Sequence, residues 1–366
     1  MKNQQDRMVS LDVMRGIIML LLAAESCQLY VSLQNLHLTG VTGGLINQFF
    51  HHRWHGLRFW DLVQPAFMTM AGTALFISYQ RKEMKGISWN ANLKHILLRC
   101  LRLFVLGIAL HCVYAGKLVF ELWNVLTQLA FTTLIAYLII QQSFFRQFLF
   151  SILLLLTTEL LYRFINIPGF NQPFTEGHNF GSYTDMLLMG KINEDGWVAI
   201  NIIPTAAHTI WGVLAGKWLY SERSKKNKLQ GLVFAGIVLL FAGMALDLSS
   251  LTPIIKRIST SSFVFASGGW VLLILAAFYW LVDLCRQQKF AHLFSAAGMN
   301  ALFIYLFFET VGMQWLNPTV FIFIDGFLSF AGLSSSFIAV VSAFTVLVLE
   351  WLLCIWLYRN KLFFKI

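Results

Sequence analysis

Apolar runs close to the length of a bilayer crossing recur along this chain and dictate what it can fold into. A helix needs about 20 predominantly apolar residues to traverse the hydrocarbon core. Runs of this kind cover Met8–Val31, Phe59–Tyr79, Ile96–Ala115, Leu122–Ile140, Phe144–Ile165, Val198–Tyr220, Leu229–Leu246, Ser261–Leu284, His292–Trp315 and Ser335–Tyr358. Composition agrees: 58% of residues are apolar and 12% charged, against roughly 25% charged in a soluble domain. Such a chain cannot cover itself with water-facing side chains, and lipid is its solvent. The expected fold is an all-α integral membrane bundle of about ten transmembrane helices, one domain over residues 1–366. Pro318–Leu333 is apolar but short, interrupted by Asp325 and Gly326. It reads as re-entrant or interfacial, and would be an eleventh helix if it crossed.

The net charge of +10 does not point to nucleic acid, because Lys and Arg gather in short loops between apolar runs, as orientation signals do. With a cytoplasmic N-terminus and ten crossings, the inner segments hold Lys2, Arg7, Arg81, Lys82, Lys85, Lys94, Arg99, Arg102, Arg146, Lys217, Arg223, Lys225, Lys226, Lys228, Arg286, Lys289, Arg359, Lys361 and Lys365. The outer ones hold only Arg53, Arg58, Lys117, Arg163, Lys191, Lys256 and Arg257. Both termini are therefore expected in the cytoplasm. Cys27, Cys100, Cys112, Cys285 and Cys354 are scattered through apolar stretches, without the spacing of a metal site or a disulfide framework. The first apolar run is long, holds Arg15 and Glu25 and lacks a small-residue cleavage site, so no cleaved signal peptide is expected.

Ionisable residues within spans are costly, and each is a functional hypothesis. Asp12 and Arg15 stand three apart on one helical face; Glu25 lies near the outer end of the same run, and Asp61 opens the second. His51, His52 and His55 crowd the preceding outer loop. The plainer reading is interfacial residues, and the alternative is a proton-handling group near neutral pH; no nearby Cys or acid pair completes a metal site. His111, Glu159, His208, Asp283, Glu309, Asp325 and Glu350 are spread over many helices. That pattern fits a polar interior, whether of an enzyme or of a proton-coupled transporter.

The run Arg7-Met-Val-Ser-Leu-Asp-Val-Met-Arg-Gly16 resembles the start of the heparan-α-glucosaminide N-acetyltransferase family and its bacterial relatives. A longer match follows in His51-His-Arg-Trp54-His-Gly56-Leu-Arg-Phe-Trp-Asp61-Leu-Val-Gln-Pro65, where the family places a His, then Trp and Gly, then Asp-Leu-Val-x-Pro. Asn179–Asp185, Asp195-Gly196, Pro204 with Gly212–Gly216, Pro253–Lys256, Thr260–Phe263 and Gly298-Met-Asn300 are similar to later family motifs, in order, to about residue 305.

The resemblance implies acetyl transfer from cytoplasmic acetyl-CoA, as cosubstrate, to the amine of a glucosamine-like sugar on the periplasmic side of the inner membrane. It places His51 on the catalytic histidine, with Asp61 to orient or charge-stabilise it. It assigns Glu25, Ser26 (where the family often has Asn), Asn179, Asp185 and Asn300 to substrate or cavity. CoA is polyanionic, so cytoplasmic bases are expected to hold its phosphates: Arg99 and Arg102 first, with Lys228 and Lys94 behind them. No metal is expected. The expected partners are the bilayer, acetyl-CoA and a sugar acceptor, with a homodimer implied by the resemblance and no nucleic acid. Two rival readings are O-acetylation of a periplasmic glycan and transport of a sugar or amphiphile.

Overall fold

The computed structural model describes residues 8–287 and 291–364, without the side chain of His292. Arg7 of the first motif and the inner-loop bases Lys2, Lys289 and Lys365 lie outside the described residues. In chain order the helices are α1 (Val9–Ser26), α2 (Leu29–Gln34), α3 (Gly40–Asn47), α4 (Val63–Glu83), α5 (Trp89–Ala115), α6 (Val125–Leu138), α7 (Phe144–Phe164) and α8 (Phe180–Met189). There follow α9 (Ile202–Tyr220), α10 (Lys225–Leu248), α11 (Ser261–Phe278), α12 (Ala291–Met299), α13 (Ala301–Phe307), α14 (Asn317–Phe330) and α15 (Ser335–Arg359). Short 3-10 turns open α4 and α9, and π-helical turns follow α11 and α13. Among the described residues no strand forms, only an isolated bridge from His55 to Ile255.

Seven of the expected crossings correspond to helices long and apolar enough to span a membrane: Phe59–Glu83, Trp89–Ala115, Phe144–Phe164, Ala199–Tyr220, Lys225–Leu248, Ser261–Leu284 and Ser335–Arg359. The first expected run divides, because Gln28 takes a left-handed conformation (φ 63°) between α1 and α2. The fourth shortens to α6, since Asn124 leaves the helix to cap it, accepting from the Leu126 N–H at 2.7 Å. At 1.5 Å per residue α6 is about 21 Å long, short of the roughly 30 Å core. The ninth bends by 83° between Leu293–Met299 and Ala301–Phe330. Pro318–Leu333 is accordingly not an element of its own; α14 continues the helical stretch begun at Ala301.

The chain divides into two compact units, Met1–Phe50 with Leu275–Ile366, and His51–Ile274. In the second unit α9 is the central helix, with 83% of its apolar window buried, whereas α10 keeps only 22% of its window inside. The amphipathic logic of a soluble core is thus inverted at the rim, where apolar side chains face lipid. Helices α4 and α9 run parallel and touch backbone to backbone. A Cβ added at Gly72 would lie 1.9 Å from the Thr209 carbonyl oxygen, and one at Gly212 would lie 2.1 Å from that of Thr69. Gly212 and Gly216 form a GxxxG stripe, the device by which membrane helices approach closely in the absence of a hydrophobic drive between them. Thr73 Oγ1 donates to the Gly212 carbonyl at 3.0 Å across this contact.

Connections in this unit gather alternately at two ends. At one, Lys217 Nζ donates to the carbonyls of Ile140 and Gln142 at 2.9 Å. Trp218 Nε1 reaches the Lys228 carbonyl there at 3.0 Å. The segments 51–58, 116–124, 165–201 and 249–260 meet at the other end. The first unit has its own ties: Asp283 accepts from the N–H groups of Val9 (3.2 Å) and Ser10 (3.4 Å), securing the start of α1. In α1 itself, Arg15 lies 3.8 Å from Asp12.

Because the α4–α9 contact leaves no room for a Cβ, Gly72→Val or Gly212→Val is expected to separate the helices. The detergent-solubilised variant should lose its monodisperse elution and melt at least several degrees lower, whereas Gly44→Ala, which meets open space, should change neither.

Candidate active site

The site starts from a carboxylate that the chain cannot leave exposed. Asp61 sits in the 3-10 turn Phe59–Leu62 that leads into α4 and is fully buried. Its Oδ2 accepts from the N–H of Arg58 (2.9 Å) and of His52 (3.3 Å), so the carboxylate folds the loop 51–58 around itself. That leaves Oδ1 facing His51, whose Nδ1 lies 2.9 Å away. Arg58 Nη1 donates to the His51 carbonyl at 3.3 Å and anchors the histidine from behind. The His51 side chain keeps 32% of its surface open. With its Nδ1 engaged, Nε2 has no hydrogen-bond partner among the described residues.

A second segment completes the site. The Gly56 N–H donates to the Ile254 carbonyl at 2.8 Å, Arg257 Nε donates to the Arg53 carbonyl at 3.0 Å, and His55 Nε2 meets Asp247 Oδ1 at 2.7 Å. These bonds lay residues 254–257 along residues 53–56. They bring Lys256 into the buried centre, its Nζ 3.0 Å from His51 Nδ1 and 3.6 Å from Asp61 Oδ1. Lys256 is only 4% exposed. Long aliphatic stems bury readily, but a buried ammonium needs a counter-charge, and Asp61 provides one.

Trp197 forms the wall. Asn193 Oδ1 accepts from the N–H groups of Asp195 (2.9 Å) and Trp197 (3.3 Å), closing a turn in which Gly196 takes φ 77°. A Cβ at Gly196 would strike the Trp54 ring at 2.8 Å. The turn delivers the Trp197 ring edge-on to His51, centroids 5.5 Å apart, with Lys256 at 5.5 Å and Arg257 at 5.1 Å over the same ring. Such contacts between cations and an indole face are attractive. Arg257 Nη1 also donates to the Asp195 carbonyl at 2.5 Å.

These surroundings set the charge of the imidazole. Burial pushes His51 down from 6.5 to about 4; Lys256 and Arg257 act in the same direction, and the hydrogen bond and charge of Asp61 oppose them. His51 is therefore a neutral ring at neutral pH, with a lone pair available on whichever nitrogen is not protonated. A neutral imidazole with an open nitrogen can act as a base or as a nucleophile.

The other residues expected at a site fall in several places. Asn179 and Asp185 belong to this unit and are fully buried. Asn179 caps α8, its Oδ1 accepting from the Ser182 N–H at 3.1 Å while Nδ2 donates to the Thr175 carbonyl at 2.8 Å. Asp185 accepts from Trp123 Nε1 (2.6 Å) and from the Ala199 N–H (2.9 Å); burial pushes its carboxyl up to about 6 against these two bonds. Asp185 thus holds the segment that carries Trp197, and Asn179 holds the start of α8. Arg99 and Arg102 lie on α5, half-buried and exposed respectively, and Lys228 is half-buried in the first turn of α10, at the end away from His51. Glu25, Ser26 and Asn300 belong to the first unit. Glu25 is exposed, Ser26 is buried with its Oγ on the Ala23 carbonyl, and Asn300 stands at the 83° bend, tied to Leu362 and Phe364.

Lys256, Trp197 and Arg257 were not legible as site residues. Arg257 reads only as an outer-loop charge, and Lys256 as an outer-loop charge that also ends the Pro253–Lys256 motif. That motif is the one signal for Lys256, and it does not point to His51.

A family model described as Heparan-alpha-glucosaminide N-acetyltransferase, catalytic, matches residues 7–245. The match takes in His51, Asp61 and Trp197 and stops short of Lys256. No curated protein matches the chain.

Asp185→Asn turns one acceptor into a donor facing Trp123 or Ala199. The expected cost is roughly 1–3 kcal/mol, the usual penalty for stranding a buried hydrogen-bonding group. A lower melting temperature in detergent, partly recovered by adding Trp123→Phe, would show it; unchanged melting would refute the structural role.

Proposed function

The chain belongs to the heparan-alpha-glucosaminide N-acetyltransferase catalytic family, which makes it a membrane acetyltransferase, and from that premise we propose that it carries acetyl from cytoplasmic acetyl-CoA to the amine of a glucosamine-like sugar across the inner membrane, with His51 as the reacting base. The observation that carries this reading is the His51–Asp61 pair: a part-exposed imidazole held at Nδ1 by a fully buried carboxylate.

The chemistry needs little more. In direct transfer, Nε2 takes a proton from the acceptor amine as nitrogen bonds to the thioester carbonyl carbon; the C–S bond breaks, and the proton passes from the ring to the departing thiolate. In two-step transfer, Nε2 attacks the carbonyl and releases the thiolate; the amine then takes acetyl from the ring, whose Nε2 is freed, and the proton the amine loses ends on the thiolate. Either way Asp61 fixes the ring orientation. Arg99, Arg102 and Lys228 are proposed to hold the CoA phosphates, and Asn179 and Asp185 to support the acceptor side. A ten-crossing topology with both termini in the cytoplasm would put the basic end of the second unit where CoA is made. Its alternating loop ends support that orientation.

Thiol release from acetyl-CoA by purified protein, against a panel of amino sugars and hydroxyl-only sugars, tests the proposal. An amino sugar should be acetylated, and His51→Ala should lower the rate about 10²–10⁴-fold, the usual contribution of a positioned base. Full transfer by folded His51→Ala would overturn the assignment. Acetylation of hydroxyl sugars alone would replace the amine with an O-acceptor.

A further inference from the structure

Two groups compete for one ring nitrogen. His51 Nδ1 has a single in-plane position, yet Asp61 Oδ1 lies 2.9 Å from it and Lys256 Nζ lies 3.0 Å from it. Nδ1 can donate to the carboxylate or accept from the ammonium, but not both. The remaining charged and titratable neighbours are accounted for. Arg58 is turned to the His51 carbonyl, Arg257 to Arg53 and Asp195, and His55 to Asp247; the His52 N–H is on Asp61.

We propose that Lys256 is a positioning residue of the acetyl-transfer site: its buried ammonium balances the charge of Asp61, so the carboxylate orients the imidazole of His51 without protonating it. This rests on His51 being the reacting group. A buried carboxylate beside a histidine would otherwise draw a second proton onto the ring, since the ion pair is the cheapest way to keep an ionised acid out of water. A doubly protonated imidazole has no lone pair and can neither take a proton nor attack a thioester. With Lys256 3.6 Å from Asp61 Oδ1, the acid already has its counter-ion, and a second positive charge 3.0 Å from that ammonium is repelled. The Lys256 ammonium has three N–H groups, so it can turn to Asp61 while Nδ1–H also donates to Asp61, leaving the Nε2 lone pair open. When Nε2 takes the amine proton during transfer, the same repulsion drives that proton on to the leaving thiolate.

The geometry gives a role to the two bonds that tie residues 254–257 to 53–56, Gly56 to Ile254 and Arg257 to Arg53. Lys256 is useful only if its ammonium is held at both partners, and Ser259, in a left-handed conformation (φ 47°), helps by donating its N–H to the Lys256 carbonyl at 2.9 Å.

The test needs no acetyl-CoA. Diethyl pyrocarbonate acylates an imidazole only in its neutral form. Its reaction with His51 in the full-length protein in detergent, followed by peptide mass spectrometry from pH 4 to 8 and corrected for hydrolysis of the reagent at each pH, reads the ring's charge. Wild-type His51 is expected to stay reactive down to about 4. In Lys256→Met the midpoint should rise by more than one pH unit, and Lys256→Arg should restore it. A packing role alone would lower stability without moving the midpoint. A wild-type midpoint at 6.5 or above, or the same midpoint in wild type and Lys256→Met, would overturn the proposal; if Lys256→Met does not fold, the wild-type and Lys256→Arg midpoints decide it. A shifted midpoint in a protein that transfers no acetyl would refute the proposed function and leave the Lys256–Asp61 balance standing, whereas an active enzyme with no shift would do the reverse.

Discussion

The site depends on a single buried carboxylate. An ionised acid removed from water is tolerated only when its oxygens are fully engaged, and every partner of Asp61 is a piece of the site. The N–H groups of His52 and Arg58 curl the loop, His51 is presented on one oxygen, and Lys256 is drawn in from a segment some two hundred residues later. Without Asp61, neither the histidine nor the lysine has a reason to be where it is.

The bundle beneath makes that arrangement rigid. Two parallel helices in backbone contact, α4 and α9, each begin beside the site: α4 just after Asp61, and α9 just after the turn that carries Trp197. Their closeness is a membrane solution, in which small residues replace the hydrophobic drive that water would supply. The two helices meet at Gly72 and Gly212, and above them Arg257, bonded to the Arg53 and Asp195 carbonyls, ties the His51 loop to the Trp197 turn, a fixed geometry of the kind that positioned acid–base chemistry needs.

The fold was more legible in the sequence than the site. Hydropathy marks an apolar helix wherever the run is long, and seven of the expected spans follow from that alone. It reads less well where a polar residue intervenes: Asn124 caps α6 and Asn300 is tied to Leu362 at the bend in the ninth run, both by side-chain hydrogen bonds, and Gln28 breaks the first run through a left-handed backbone. In the site, His51 and Asp61 stand ten residues apart and share a motif, so their pairing lies within reach of sequence. Asn179 and Asp185 also share a motif, but only the fold shows that their hydrogen bonds are spent on α8 and on the Ala199 segment.

What the residues determine by themselves is solvent and chemistry: too few charges for water, basic loops in alternation, and an imidazole next to a carboxylate. What tertiary structure alone decided is the company that imidazole keeps. Lys256 reads in the chain as one more outer-loop cation, and Trp197 as one more aromatic. The pairing of residues 254–257 with 53–56 puts the ammonium within hydrogen-bond reach of the ring, and the Asn193 turn sets the indole against both. The physical reason is range. Hydropathy and motif spacing are local properties of a chain, whereas the charge state of a buried histidine is set by groups a few ångströms away in space and hundreds of residues away in sequence.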